Sequence, residues 1–226
     1  MKKILFLSVI LLLMNSCNGQ EKKEVENTLK VNTVKTKQKQ TIQVDKIALN
    51  TSVDTILKGF NLDKNDNYST TVNLNLDYEE FWFSPDNNFK FNDLNIGKIT
   101  SLVIFYLKKD NNAFVYELEL ENNNNCESLI AEFNKKFGKQ TFYKKRENTK
   151  KNPLFLDENG EYETDHITEE AMKWKDDKNN ATYFVIYKNN LDTKENKIFV
   201  SVISNSSKKF AEWIDYRSLD MVFQNN

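Results

Sequence analysis

Between residues 68 and 120 the apolar side chains of this chain recur at every second position, a period that strands satisfy and helices do not. Val72, Leu74 and Leu76 alternate with Thr71, Asn73 and Asn75, which predicts a strand with one wet face. Residues 78–83 crowd aromatics together, residues 85–88 predict a turn, and Phe89 and Phe91 a short strand. Residues 99–107 are apolar at both parities, as in a central strand covered on both faces. After a turn at 108–112, residues 113–120 return with Phe114, Tyr116, Leu118 and Leu120 inward and Glu117 and Glu119 outward. The pair is a predicted β-hairpin.

Helical spacing appears in three places. At 50–59, Thr51 or Ser52 is placed to cap, Thr51 and Asp54 have capping-box spacing, and Val53, Ile56 and Leu57 share a face before Gly59. At 127–137, Leu129, Ile130, Phe133 and Phe137 share a face, Glu132 and Lys136 stand at i, i+4, and Gly138 ends the run. Ser206 or Ser207 caps a last helix carrying Phe210, Trp213 and Ile214, and residues 219–223 form an apolar tail that packs back. Residues 41–49 read as a first strand or an extended entry. Further strands are expected at 141–143, 154–156, 171–175, 181–187 and 197–203, with a loop at 148–153 and a polar excursion at 157–165. This order predicts an α+β fold: a mainly antiparallel sheet with two or three short-to-medium amphipathic helices packed on it.

Charge and composition bound the chemistry. Lys and Arg number 32 against 33 Asp and Glu, an even balance that argues against nucleic-acid binding. Residues 62–67 resemble a calcium loop only briefly, because Tyr68 stands where the turn glycine belongs and Leu74 where the bidentate acid belongs. Glu79 and Glu80 are neighbours on a strand, so they point to opposite faces and form no glycosidase pair with each other. Trp82 lies in the same aromatic stretch. His166, the only histidine, sits among Glu163, Asp165, Glu169 and Glu170 in the polar excursion. Cys126 stands at a helix start, either as a thiol whose pKa the helix dipole lowers or as a small, partly buried first-turn residue. No cofactor, metal site or catalytic residue is assigned. Lys135, Lys136, Lys139, Lys144, Lys145, Arg146, Lys150 and Lys151 form a basic stretch, followed by an acidic one from Asp157 to Glu170. The two neutralise each other on a solvated surface, or the basic face meets lipid head groups or an acidic partner.

The N-terminus carries a location signal. Lys2 and Lys3 precede an almost wholly apolar run at 4–14, followed by Asn15-Ser16-Cys17 and a hydrophilic segment. The run is too short for a membrane-spanning helix, which needs about 20 residues. A charged start, a short apolar core and a small residue before a cysteine resemble a bacterial lipoprotein signal. That resemblance implies cleavage after residue 16 and acylation of Cys17, palmitate among the chains. Loss of residues 1–16 removes two lysines and no acid, taking the formal net charge from −1 to −3. Cys126 then remains without a cysteine partner. Abundant Asn and Lys with scarce Gly and Pro resemble the style of Bacteroidota envelope lipoproteins.

The expected organisation is a signal peptide at 1–16, an acylated cysteine and flexible polar tether at 17–40, and one domain at 41–226. Residues 127–203, with Phe137-Gly138-Lys139 closing a helix and Trp174 following, also resemble small bacterial envelope domains in which such a helix packs on an antiparallel sheet. That resemblance implies a fold and no activity. The expected function is non-enzymatic: an envelope lipoprotein, lipid-anchored through Cys17 in the outer membrane, binding a protein or envelope component. Its rivals are an envelope hydrolase acting on glycan or peptide, and an assembly or immunity factor with an exposed aromatic sheet face around Trp82 or Trp213. The expected contact residues are Lys135, Lys136, Lys139, Lys144, Lys145, Arg146 and Trp82.

Overall fold

The computed structural model describes residues 39–69, 76–156 and 158–223. In chain order the strands are β1 (Thr41–Gln43), β2 (Tyr78–Trp82), β3 (Asn88–Phe91), β4 (Leu94–Asn95), β5 (Ser101–Leu107), β6 (Ala113–Glu121), β7 (Phe142–Leu156), β8 (Tyr162–Asp176), β9 (Ala181–Asn190) and β10 (Asn196–Ser204). The α-helices are α1 (Val53–Gly59), α2 (Cys126–Phe137), α3 (Phe210–Tyr216) and α4 (Leu219–Phe223). Seven strands form one antiparallel sheet in the order β2-β5-β6-β10-β9-β8-β7, and β1, β3 and β4 form a small second sheet in which β1 runs parallel to β3. The fold is α+β with a mainly antiparallel sheet, as the two-residue period predicts. The leader, Cys17 and all but the last two residues of the tether lie outside the described residues, as does the strand expected around Val72 and Leu74.

Strand parity divides the core. Leu102, Ile104 and Tyr106 of β5 join Tyr116, Leu118 and Leu120 of β6 in one cluster, while Val103 and Phe105 belong to another. The first cluster takes in Leu129 and Phe133 of α2, Val53, Ile56 and Leu57 of α1, and Phe89 and Phe91 of the small sheet. The Phe133 ring lies 4.8 Å from Phe91, 5.5 Å from Trp174 and 5.7 Å from Tyr183. Gly138 ends α2 at φ 77° and ψ −155°, where a side chain would be strained, and its carbonyl accepts the Trp174 indole N–H at 3.1 Å. The second cluster gathers Tyr78, Val103, Phe105, Phe114 and Phe184 with Trp213 and Leu219 of the C-terminal helices. Trp213 lies 4.5 Å from Phe105, 5.4 Å from Phe114 and 5.6 Å from Tyr78.

Several local expectations are corrected. Helix α1 has Ser52 as N-cap with no side-chain cap bond, so the Thr51/Asp54 box is not formed. Asn61, at φ 56°, makes the left-handed exit in place of Gly59. Asn50, Asn92, Asn111, Asn122 and Asn180 take the same conformation, which asparagine tolerates better than most residues. In a chain with five glycines, asparagine does much of glycine's turn work. Glu132 pairs with Lys135 at 3.2 Å and not with Lys136, which reaches Asp45 at 3.1 Å. Helix α3 is preceded by Lys209, whose backbone N–H donates to Ser207 Oγ at 3.1 Å. The apolar tail is itself a short helix, α4.

The largest correction concerns residues 141–176. The expected loop at 148–153 lies within β7, and the last four residues of the polar excursion, 162–165, lie within β8. The two pair from Phe142↔Lys173 to Lys151↔Thr164, with a register shift before Leu156↔Tyr162. Opposite charges face each other across the pair: Arg146 Nη2 lies 2.6 Å from Glu169 Oε1, and Lys145 Nζ 3.7 Å from Glu170 Oε1. Cross-strand pairs of this kind stabilise by about 0.2–1 kcal/mol each, and backbone pairing supplies the rest. Such a hairpin has no apolar period to read. Strand β9 pairs only with Ile167–Asp176 of β8, so the distal part of the hairpin is two-stranded. Strand β7 is an edge, where Lys144 and Lys145 discourage pairing with other chains.

Phe133→Ala is expected to lower unfolding free energy by about 3–5 kcal/mol, because a buried ring with aromatic neighbours on two other layers is removed. Lys135→Ala is expected to stay within about 0.5 kcal/mol. Urea denaturation of the two variants beside the parent checks both values.

Candidate functional site

Glu117 is a charged group buried within β6. The alternation places it on a wet face, but that face lies under the C-terminal helices, and Glu117 is 6% exposed. Its carboxylate accepts from Arg217 Nε at 2.9 Å, Trp213 Nε1 at 3.0 Å and Ser201 Oγ at 3.3 Å, and also from Arg217 Nη2. Burial raises its pKa above the ordinary glutamate value, against the opposing pull of Arg217 and of the hydrogen bonds. Arg217 also stacks against the Trp213 and Tyr216 rings. The network ties α3 to β6 and β10.

Beyond α3 the cover thins into a groove of about 570 Å³. Its sheet side carries Lys173, Lys175, Thr182 and Phe184, and its helix side Phe210, Ile214, Leu219 and Phe223. The Phe184 ring lies 5.1 Å from Phe223 and 6.4 Å from Phe210, and Phe223 lies 5.4 Å from Phe142. Thr182 Oγ1 donates to Asn205 Oδ1 at 2.7 Å, so the polar end of the floor is satisfied. The volume falls within the usual range for small-molecule sites, about 300–1,000 Å³.

A second cavity, of about 440 Å³, is more polar and is lined by Asp45, Lys136, Asn92, Phe137, Asp176 and Asn179, among others. Asp45 accepts the Asn92 backbone N–H at 3.1 Å and pairs with Lys136. Asp176 accepts from the Asn179 backbone N–H at 3.1 Å and from Asn179 Nδ2 at 2.6 Å. Behind them the Tyr116 hydroxyl donates to the Tyr183 hydroxyl at 3.1 Å, and burial raises both phenol pKa values.

The residues singled out in the sequence are not gathered together. Trp82 is half-buried on edge strand β2, with its Nε1 donating to Glu80 Oε2 at 2.9 Å, whereas Lys144, Lys145 and Arg146 lie on the opposite edge, β7. Lys135 and Lys136 lie on α2 with the partners given above. Lys139 and Lys144 form no ion pair among the described residues. Glu79 accepts from the Tyr106 hydroxyl at 2.8 Å, on the face of β2 opposite to Glu80. His166 lies in β8 and not in a loop, with Nδ1 3.1 Å from Asp192 Oδ2. Cys126 is buried at the first residue of α2, and burial pushes its thiol up to about 11, the reverse of activation. Trp213 is buried too, so it offers no exposed aromatic surface. No metal-binding group of three or more His, Cys, Asp or Glu occurs among the described residues, and none of their helices is long and apolar enough to cross a membrane.

The sequence reading missed Glu117 and the groove. The one signal was the apolar character of residues 219–223, which required a sheet face to cover. No protein family, curated protein or solved structure matches the chain.

Arg217→Ala leaves the Glu117 charge buried without its cation and is expected to cost about 3–5 kcal/mol in urea denaturation. The pH dependence has a defined sign. A raised folded-state pKa means that the folded chain binds the extra proton, so the contribution of Glu117 to stability falls as pH rises from its unfolded value through its raised folded value. Wild type is therefore expected to lose stability relative to Glu117→Gln across that window, measured by urea titrations of both proteins at stepped pH.

Proposed function

We propose that this chain is a membrane-anchored cell-envelope lipoprotein, non-enzymatic, that binds a protein or envelope component. In this reading residues 1–16 are the signal peptide, Cys17 carries the lipid, residues 17–40 are the tether and residues 41–226 are one domain. The location is the outer membrane. The helices act as covers packed on both faces of the sheet, a view supported by the ring contacts of Phe133 and Trp213.

One observation carries the binding part. Glu79, Glu80, Asp165, His166 and Asp176, the groups from which a hydrolase would be built, sit at separate places along β2 and β8. Several have structural partners of their own. The leader pattern before Cys17 carries the anchor part. One observation favours the hydrolase alternative: Asp45 and Asp176 line a common cavity. Cleavage of peptidoglycan or peptide that disappears in both Asp45→Asn and Asp176→Asn would replace the binding reading with that one.

Labelled palmitate is expected to enter the wild-type chain and not Cys17→Ser, and mass spectrometry is expected to find the mature chain starting at a lipidated Cys17. Retention of Met1 with an unmodified sulfur overturns the anchor. The basic residues have a test of their own. Each lysine near an anionic bilayer contributes about 1 kcal/mol, so Lys139→Gln with Lys144→Gln is expected to weaken pelleting with anionic vesicles about thirtyfold at low salt. Pelleting indifferent to lipid charge and to salt removes the head-group contact.

A further inference from the structure

We propose that the groove between β8, β9 and the two C-terminal helices binds a long-chain anionic amphiphile, a fatty-acid carboxylate. The groove would then serve the binding role proposed above and rests on that role, but not on the lipid at Cys17.

The first ground is the apolar wall. Trp213 packs on rings of β2, β5 and β6, whereas further along the same face the buried Phe184 ring of β9 is met by the half-buried rings of Phe210 and Phe223. Ile214 and Leu219 complete the apolar wall. The groove of about 570 Å³ is of a size that holds small organic molecules, about 300–1,000 Å³.

The second ground is charge. Lys173 and Lys175 alternate with the buried Trp174 on β8, so both rise from the groove face. They stand opposite Phe184 and Thr182 in the register. Neither forms an ion pair among the described residues, although Glu169 and Glu170 on the same strand each pair with a cation. Lys173 Nζ lies 5.7 Å over the Phe142 ring, at the apolar margin. Asp177 and Asp220 also line the groove without pairing with either lysine, Asp177 just beyond the end of β8 and Asp220 in the first turn of α4. A carboxylate head between Lys173 and Lys175, with its tail along Phe184, Ile214, Leu219 and Phe223, matches this arrangement of charge and apolar surface. The plainer account is that the lysine stems cover aromatic rings while their ammonium groups stay in water. In that case a neutral amphiphile of equal length binds as well as the acid.

The experiment is calorimetric titration of the full-length chain carrying Cys17→Ser, without detergent. The probes are decanoate, dodecanoate and tetradecanoate below their micelle concentrations, with dodecanol and dodecyltrimethylammonium as comparisons. Each added methylene is expected to tighten binding about fourfold, the equivalent of about 0.8 kcal/mol. Dodecanoate is expected to bind at least about tenfold tighter than dodecanol, as one hydrogen bond to a charged group allows. Lys173→Gln with Lys175→Gln is expected to bring dodecanoate to the level of dodecanol. Ile214→Trp, which fills the groove, is expected to abolish binding with an unchanged circular dichroism spectrum. Absence of binding, equal binding of alcohol and acid, or full binding by the lysine variant overturns the site. The lysine changes are at solvent-reachable positions, so the test holds even if Ile214→Trp fails to fold. Palmitate labelling at Cys17 is read independently, so failure of the groove and failure of the anchor are told apart.

Discussion

The central strands of this protein are apolar on both faces, and the remaining architecture answers that constraint. Strand β5 places Leu102 and Ile104 on one side and Val103 and Phe105 on the other, all buried. Uncovering either side costs about 25 cal/mol for each Å² of apolar surface returned to water. One side is met by α1, α2 and the small sheet, drawn from segments before and after β5. The other is met by α3 and α4, which come from the end of the chain. The C-terminal segment is therefore part of the core.

Glu117 is the point at which that second cover is fixed. A carboxylate under an apolar lid is costly unless its acceptors are used, and here Arg217, Trp213 and Ser201 use them. A helix held only by ring packing has several nearly equal positions on a flat sheet. The bonds from Arg217 and Trp213, both within or just after α3, select one. The groove lined by Phe184, Ile214 and Phe223 lies beside the helix that these bonds hold.

Charge does different work at the sheet edge. The basic β7 and the acidic β8 are complementary, and that complementarity adds to the backbone pairing of two strands that have little apolar period. It also accounts for why the basic stretch is a weak guide to a partner. Lys145 and Arg146 already face Glu170 and Glu169, and Lys136 is turned to the buried Asp45. The partition of these residues between internal pairing and solvent follows from register, which the order of charges in the chain does not reveal.

Legibility followed the range of the interaction. The period of residues 99–120 and the amphipathic run ending at Gly138 were readable because neighbours in sequence decide them. The hairpin at 142–176 was readable only in pieces, as short strands at 141–143, 154–156 and 171–175, since the continuity between them comes from the opposite strand. The burial of Glu117 was not readable, because the alternation correctly marks its side of the strand but cannot show that Trp213 and Arg217, about a hundred residues on, will cover that side. The sequence alone determined an antiparallel α+β core, an even charge and a cysteine without a cysteine partner after Cys17. The tertiary structure decided which faces stay wet, which charges are spent on one another and where a groove remains, because these depend on contacts between segments far apart in the chain.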